Sequence, residues 1–301
     1  MKKILFCFLL LAATGCRKTL DITLPYEGNR LVIYGLLSPD RTVSVKIART
    51  FPVQGKNIYE DHVVKNAIVP LFENGTYREN LTHTTNGEYV SPSRFKPIVG
   101  KSYHIKVRAS EFPDAETLPQ IVPGPVVIDS FVFREEIISA LNSDTPTKKL
   151  TFAFTDNGTQ VNYYNAVITG TYQGRYVLIN NYSLDRPDET QDLCGSQGSL
   201  NNQLLKDICF NGNRFVVNVA VETTGFLQDY QPGDDDSAVA CDRIVLSLQN
   251  VTKEYFDYLR QPGIQETGFL QIFEPVRREY TNVKGGYGIW GAYNAQTVRI
   301  Q

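Results

Sequence analysis

The chain has 301 residues, 30 Lys plus Arg against 32 Asp plus Glu, 42% hydrophobic and 11% aromatic residues. That balance belongs to a folded globular protein and excludes disorder or low complexity. With a formal net charge of −2 and a pI near 6.0, and no basic stretch interleaved with aromatics, it also excludes nucleic acid as a partner.

The N-terminus reads as an address. Lys2 and Lys3 precede an apolar run from Ile4 to Ala13, too short to span a bilayer but right for a signal-peptide core. The run ends in Ala12-Ala13-Thr14-Gly15-Cys16, small residues before a cysteine, which a lipoprotein signal peptidase accepts at its catalytic site. Cys16 is therefore predicted to be the lipidated first residue of the mature chain. The blander reading is an ordinary secreted protein with Cys16 as a free thiol. Residues 1–15 form the signal peptide and 16–25 a tether. Removing the peptide takes Lys2 and Lys3 and moves the net charge from −2 to −4. No later apolar stretch approaches the roughly 18–20 residues of a spanning helix, so membrane attachment rests on acyl chains at Cys16. Arg17, where Asp would retain the protein at an inner membrane, argues for transport to the outer one.

Strand patterns follow almost everywhere. After Leu31–Leu37, Thr42 to Arg49 alternates Val43, Val45 and Ile47 with Ser44, Lys46 and Ala48, the period of a sheet with one dry and one wet face. Ser102 to Arg108 repeats it, with Tyr103, Ile105 and Val107 inward and Ser102, His104, Lys106 and Arg108 outward. Asn74-Gly75 and Asn86-Gly87 between them are hairpin turn dipeptides. Residues 26–112 are thus predicted to form six or seven short strands in an immunoglobulin-like β-sandwich.

Pro113, Pro119, Pro123 and Pro125 then remove backbone donors, and 113–126 is predicted to be an extended linker with neither helix nor inner strand. Beyond it, Ser130 to Arg134, Lys149 to Thr155, Tyr163 to Thr171, Tyr176 to Ile179, Arg214 to Val221 and Arg243 to Leu248 resume the alternation. One helix of about ten residues is expected after Thr252, which can cap it, with Tyr255, Phe256 and Leu259 on one face and Pro262-Gly263 ending it. The fold class is all-β. Residues 127–301 make a larger mainly β domain with one short helix, a sandwich or a barrel.

Few residues carry chemistry. Cys194, Cys209 and Cys241 allow three single pairings, of which Cys194–Cys209 closes the shortest loop, across an irregular Gly- and Asn-rich stretch. No C-x-x-C pair exists and His62, His83 and His104 lie far upstream, so no Cys/His metal site is expected. Those histidines give no Ser/His/Asp order either, and no enzyme is expected. Glu135 and Glu136 are adjacent and point to opposite faces of a strand, which makes them surface charge. Asp234-Asp235-Asp236 lacks the spacing and distal Glu of a calcium loop and reads as a solvated turn. In the closing segment, Gly285-Gly286 suits a tight turn and Gly288 and Gly291 suit close packing of rings or backbone. The main reading is that this segment closes the C-terminal domain's sheet. The alternative is that Tyr287, Trp290 and Tyr293 form a ligand platform.

Three parts of the chain carry a resemblance: the lipobox followed by Arg30-Leu31-Val32-Ile33-Tyr34-Gly35-Leu36-Leu37-Ser38; Cys209-Phe210-Asn211-Gly212 before a strand, with the Tyr-rich helix at Val251 to Leu259; and Phe273-Glu274-Pro275 followed by Tyr280 to Tyr293 with its double glycine and Gly-aromatic alternation. Over nearly the whole mature chain it resembles the Bacteroidota lipoprotein family called domain of unknown function 4249. It departs in Lys284, where an acidic residue is usual, and Trp290, where Phe is usual. The resemblance implies an envelope lipoprotein, often encoded beside TonB-dependent outer-membrane receptors, and hence a binding subunit with such a receptor as partner and no cofactor. The alternative is a structural or adhesive envelope lipoprotein without a transport role.

Overall fold

The computed structural model describes residues 28–51, 62–135, 147–184, 195–196, 202–229, 237–261 and 280–301. The signal peptide, Cys16 and the tether, Cys194, Glu136 and Asp234 to Asp236 lie outside the described residues. Within them the protein is mainly β, built as two cores that share one long strand.

The first core is made by β1 (Leu31–Leu37), β2 (Ser44–Arg49), β3 (Val69–Glu73), β4 (Thr76–His83), β5 (Glu88–Val90), β6 (Ser102–Val107), β7 (Ala115–Thr117) and β8 (Gln120–Ile121). The two Asn-Gly turns sit at the ends of β3 and β4. All four residues have positive φ, from +48° to +79°, which Asn and Gly tolerate best. Strand β4 pairs with β3 along most of its length and with β5 at Thr82 and His83, so it passes from one layer to the other. Alternation then decides burial: Leu31, Ile33 and Leu37 meet Val45, Ile47, Leu71, Tyr103, Ile105 and Val107 in one apolar cluster. Tyr89 is buried there because its hydroxyl accepts from Ala67 N–H and donates to Val64 O, both at 2.9 Å.

The proline-rich stretch is more than a linker. Between the prolines, Ala115–Thr117 keeps its donors and pairs with β6, and Gln120–Ile121 does the same. Ala115, Thr117 and Gln120 are buried, contrary to the expectation that no inner strand survives there. Prolines block only their own positions, and the short runs between them are free to join a sheet.

The second core lies between two facing sheets. Its strands are β9 (Ile128–Glu135), β10 (Thr147–Thr155), β11 (Tyr163–Tyr172), β12 (Arg175–Leu178), β13 (Asn181–Ser183), β14 (Gly195–Ser196), β15 (Asn202–Lys206), β16 (Arg214–Glu222), β17 (Thr224–Leu227), β18 (Val239–Ala240) and β19 (Arg243–Val251). One sheet has the order β13-β16-β10-β9 and presents Leu150, Phe152, Phe154, Val217, Val219 and Val221. The other presents Tyr164, Ala166 and Ile168 from β11 with Ile244, Leu246 and Leu248 from β19. This is a sandwich rather than a closed barrel.

The helix α1 (Lys253–Leu259), β20 (Val283–Lys284) and β21 (Tyr287–Arg299) complete the fold. Helix α1 is seven residues long, and Thr252 does not cap it with its side chain. The Thr252 hydroxyl instead accepts Ala292 N–H at 3.2 Å, while Thr252 N–H donates to Ala292 O at 2.9 Å. The competing donor is Ala292 N–H of β21, which needs a partner where β19 ends.

Strand β21 joins the cores. Its first half pairs in parallel with β1, Val32 opposite Tyr287 to Leu37 opposite Ala292. Its second half pairs antiparallel with β19, Val251 opposite Tyr293 to Val245 opposite Arg299. The closing segment therefore seals both cores and not the C-terminal sheet alone. Strand β20 returns to pair with β7.

Candidate functional site

Trp290, one of the three platform residues, is fully buried in the first core. Its indole Nε1–H donates to Tyr103 O at 3.0 Å. The Asn282 side chain acts as a strand partner for its backbone, accepting Trp290 N–H at 2.9 Å and donating to Trp290 O at 2.7 Å. Gly35 makes the room: a Cβ there would lie 2.5 Å from the Trp290 ring, closer than packing permits. Tyr287 and Tyr293 point to the opposite face of β21, six residues or roughly 20 Å apart along the strand. The three side chains share no surface.

Tyr293 belongs to a different aromatic cluster. On the outer face of β1 and β21, Leu36, Ile289 and Tyr293 meet Tyr255, Phe256, Tyr258 and Leu259 of α1, and Tyr34 meets Tyr258 at the margin. The Tyr34 and Tyr258 rings are 6.2 Å apart, Tyr255 and Tyr293 6.5 Å, and Tyr163 of β11 lies 5.0 Å from Phe256. Gly291 lets the helix seat, since a Cβ there would come within 2.8 Å of Tyr255 Cβ. Tyr280 joins beside α1, its backbone N–H held by the Gln261 side chain. This small third core bridges the other two.

The chemistry of this face is that of tyrosine rings and hydroxyls. Burial, then the other tyrosines, raises Tyr34 and Tyr255 above the ordinary phenol value. Burial, then Glu254 and Asp257, pushes Tyr280 up to about 12. Cations ring the cluster: Lys206 lies 5.9 Å from the Tyr163 ring and Arg260 5.8 Å from Phe256, while Lys253 pairs with Asp257. Tyr34 stays 45% exposed. Tyrosine offers an apolar ring and a polar hydroxyl at such a surface.

The histidines are packing residues. His104 stacks on Phe72 with ring centroids 4.7 Å apart, and burial holds its imidazole below the ordinary value against the pull of Glu116 at 3.9 Å. His83 meets Tyr89 edge-on at 5.3 Å and His62 lies 4.2 Å from Phe51. Among the described residues no group of three His, Cys, Asp or Glu is placed to hold a metal, and no helix is long and apolar enough to cross a membrane. A depression of about 240 Å³ beside β6, β7 and β20 is lined by Lys106, Arg108, Asp114, Glu116 and Lys284. Its charges are largely matched, Arg108 with Asp114 at 3.1 Å and Lys106 with Glu116 at 3.6 Å.

Cys209 is disulfide-bonded, and its partner lies outside the described residues. Cys241 is a free, buried thiol, which burial and then Asp242 push up to about 11. Next to Cys209 is a buried polar knot that sequence spacing did not reveal. Asp156 accepts from Tyr164 OH at 2.5 Å, Asn162 Nδ2 at 3.2 Å and Gly212 N–H at 2.8 Å. Asp207 accepts Asn162 N–H at 2.5 Å. The knot ties the loops at one end of the second sandwich.

The family described as Domain of unknown function (DUF4249) matches residues 17–299. No curated protein matches the chain. Among solved structures, a Corynebacterium diphtheriae protein described as a candidate membrane-anchored protein is 12% identical, with 76% of this chain and 55% of that one covered and a TM-score of 0.21. A biofilm-associated protein, BSP domain, is 8% identical, with 95% and 61% covered and a TM-score of 0.20. The chain thus spans 55 to 61% of the length of these two structures. Likeness at this level carries nothing about ligand or partner.

Proposed function

The chain belongs to the family of domain of unknown function DUF4249, and on that footing we propose that it is a lipid-anchored binding subunit of the outer membrane, accessory to a TonB-dependent transporter in nutrient capture. The anchor reading rests on Ala12-Ala13-Thr14-Gly15-Cys16 behind a short apolar run. The observation that carries the binding reading is the tyrosine face of Tyr34, Tyr258, Tyr280 and Tyr293 around α1. It sits where both cores meet, so a ligand there touches a preorganised surface and costs little ordering entropy. The mechanism is noncovalent capture, with no cofactor and no bond made or broken.

The test is purification of the protein from its native membrane in mild detergent, with co-purifying proteins identified by mass spectrometry. A stoichiometric TonB-dependent receptor is the expected result. Recovery alone, or with a surface-structure protein, overturns the transport role in favour of an adhesive one. Cys16→Ala is expected to leave the protein soluble and unacylated; a variant still acylated and membrane-bound rules out that anchor.

A further inference from the structure

The four-stranded sheet ends in β9. Strand β9 is paired along its length with β10, from Ile128 opposite Phe154 to Glu135 opposite Lys148. Among the described residues nothing pairs with its other edge. Natural edges of this length are blunted by charged side chains, Lys above all, by Pro or by a bulge. Here the one irregularity lies at Ala153/Phe154, beside Asp129, and from Ser130 to Phe133 there is neither charge nor Pro. Both faces carry exposed apolar side chains, Phe131 at 40% and Val132 at 53%.

The sequence of the edge is self-complementary. Ser130-Phe131-Val132-Phe133-Arg134 reads polar, Phe, Val, Phe, polar in both directions about Val132. A two-fold axis normal to a sheet pairs residue n−k of one copy with n+k of the other and keeps faces matched, so this pattern is what such a pairing requires. Centred on Val132, it sets Phe131 against Phe133 of the second copy on the core face, twice. On the outer face it sets Val132 against Val132, with Ser130 opposite Arg134. Asp129 is turned to its own sheet, accepting from the Thr155 hydroxyl at 2.8 Å with Arg214 at 3.9 Å, so its opposition to Glu135 at the ends of the pairing is screened.

We propose that β9 pairs antiparallel with β9 of a second copy of this chain, in the register centred on Val132, joining two four-stranded sheets into one of eight. This surface is separate from the tyrosine face, and its fate says nothing about ligand capture.

The sharpest test is Val132→Cys in the acylated full chain, followed by mild oxidation and a non-reducing gel. Only a residue on the axis meets itself, so a disulfide-linked dimer is expected for Val132→Cys and not for Val127→Cys, an equally exposed neighbour outside the pairing. Equal or absent cross-linking of the two overturns the proposal. Sedimentation of the Cys16→Ala chain supplies a second readout: the mass is expected to be that of a dimer and to halve in a folded Phe131→Lys variant. A monomeric parent chain, or a dimer that Phe131→Lys leaves intact, also overturns it.

Discussion

The two halves of β21 do opposite jobs with one continuous backbone. From Tyr287 to Ala292 the strand is parallel to β1 and supplies a fully buried tryptophan, fitted against a glycine and locked by an asparagine amide. From Tyr293 to Arg299 it is antiparallel to β19 and contributes polar fasteners. Asn294 Nδ2 donates to Pro123 O at 3.1 Å, its cross-strand neighbour Asn250 donates to Gly124 O at 3.1 Å, and Gln296 Oε1 accepts Ile128 N–H at 2.5 Å. The end of the connector between the cores is thus hydrogen-bonded at Pro123 to β21 and at Gly124 to β19 beside it. The lesson is that the two sandwiches are stitched, not strung: apolar packing fixes one end of the stitch, and amides satisfying a proline-rich backbone fix the other.

The largest blow to this arrangement falls on the first half. Trp290→Ala removes the largest fully buried side chain among the described residues and the indole donor to the Tyr103 carbonyl, and is expected to cost ~3–5 kcal/mol in denaturant unfolding. Reduction or Cys209→Ser comes next, at about 2–4 kcal/mol, because it frees a loop of the second sandwich. Asn294→Ala leaves the half-buried Pro123 carbonyl without this donor, at a cost of ~0.5–1.5 kcal/mol. Its specific signature is faster hydrogen exchange across residues 123–128, with the first core unchanged.

The smallest effect is one of pH. Burial, then the charge of Asp156, raises the Asp207 carboxyl above the usual carboxylate value, against the opposing Asn162 N–H. The folded protein therefore holds this proton more tightly than the unfolded chain does. That stabilisation is complete below the unfolded value and is lost as pH rises through the folded one. Asp207→Asn is expected to flatten this part of the stability-versus-pH curve; an unchanged curve would show that the proton is held elsewhere.

What the sequence made legible was local. The alternation in β2, β6, β10 and β11 and the Asn-Gly hairpin turns follow from side-chain period and positive φ alone, and the structure has them in place. What it hid depends on partners far away in the chain. Trp290 sits among aromatics that suit a platform, and only the pairing with β1, some 250 residues earlier, turns it inward onto Gly35. Thr252 looks like a helix cap until the backbone of Ala292 arrives to claim it. The tyrosine face draws on β1, α1 and β21 at once. Its only local traces were Tyr34 on the wet side of an apolar strand and Tyr255 and Tyr258 three residues apart on a helix.

The stitched arrangement can be tested directly because Trp290 is the sole tryptophan and reports on the first core, while far-ultraviolet circular dichroism reports on the strands of both. Equilibrium denaturation of the mature chain followed by the two signals is predicted to give coincident transitions, since neither core can lose β21 without exposing the other. A fluorescence midpoint separated from the dichroism midpoint, with two resolved steps, would contradict the stitch and show two sandwiches that unfold independently.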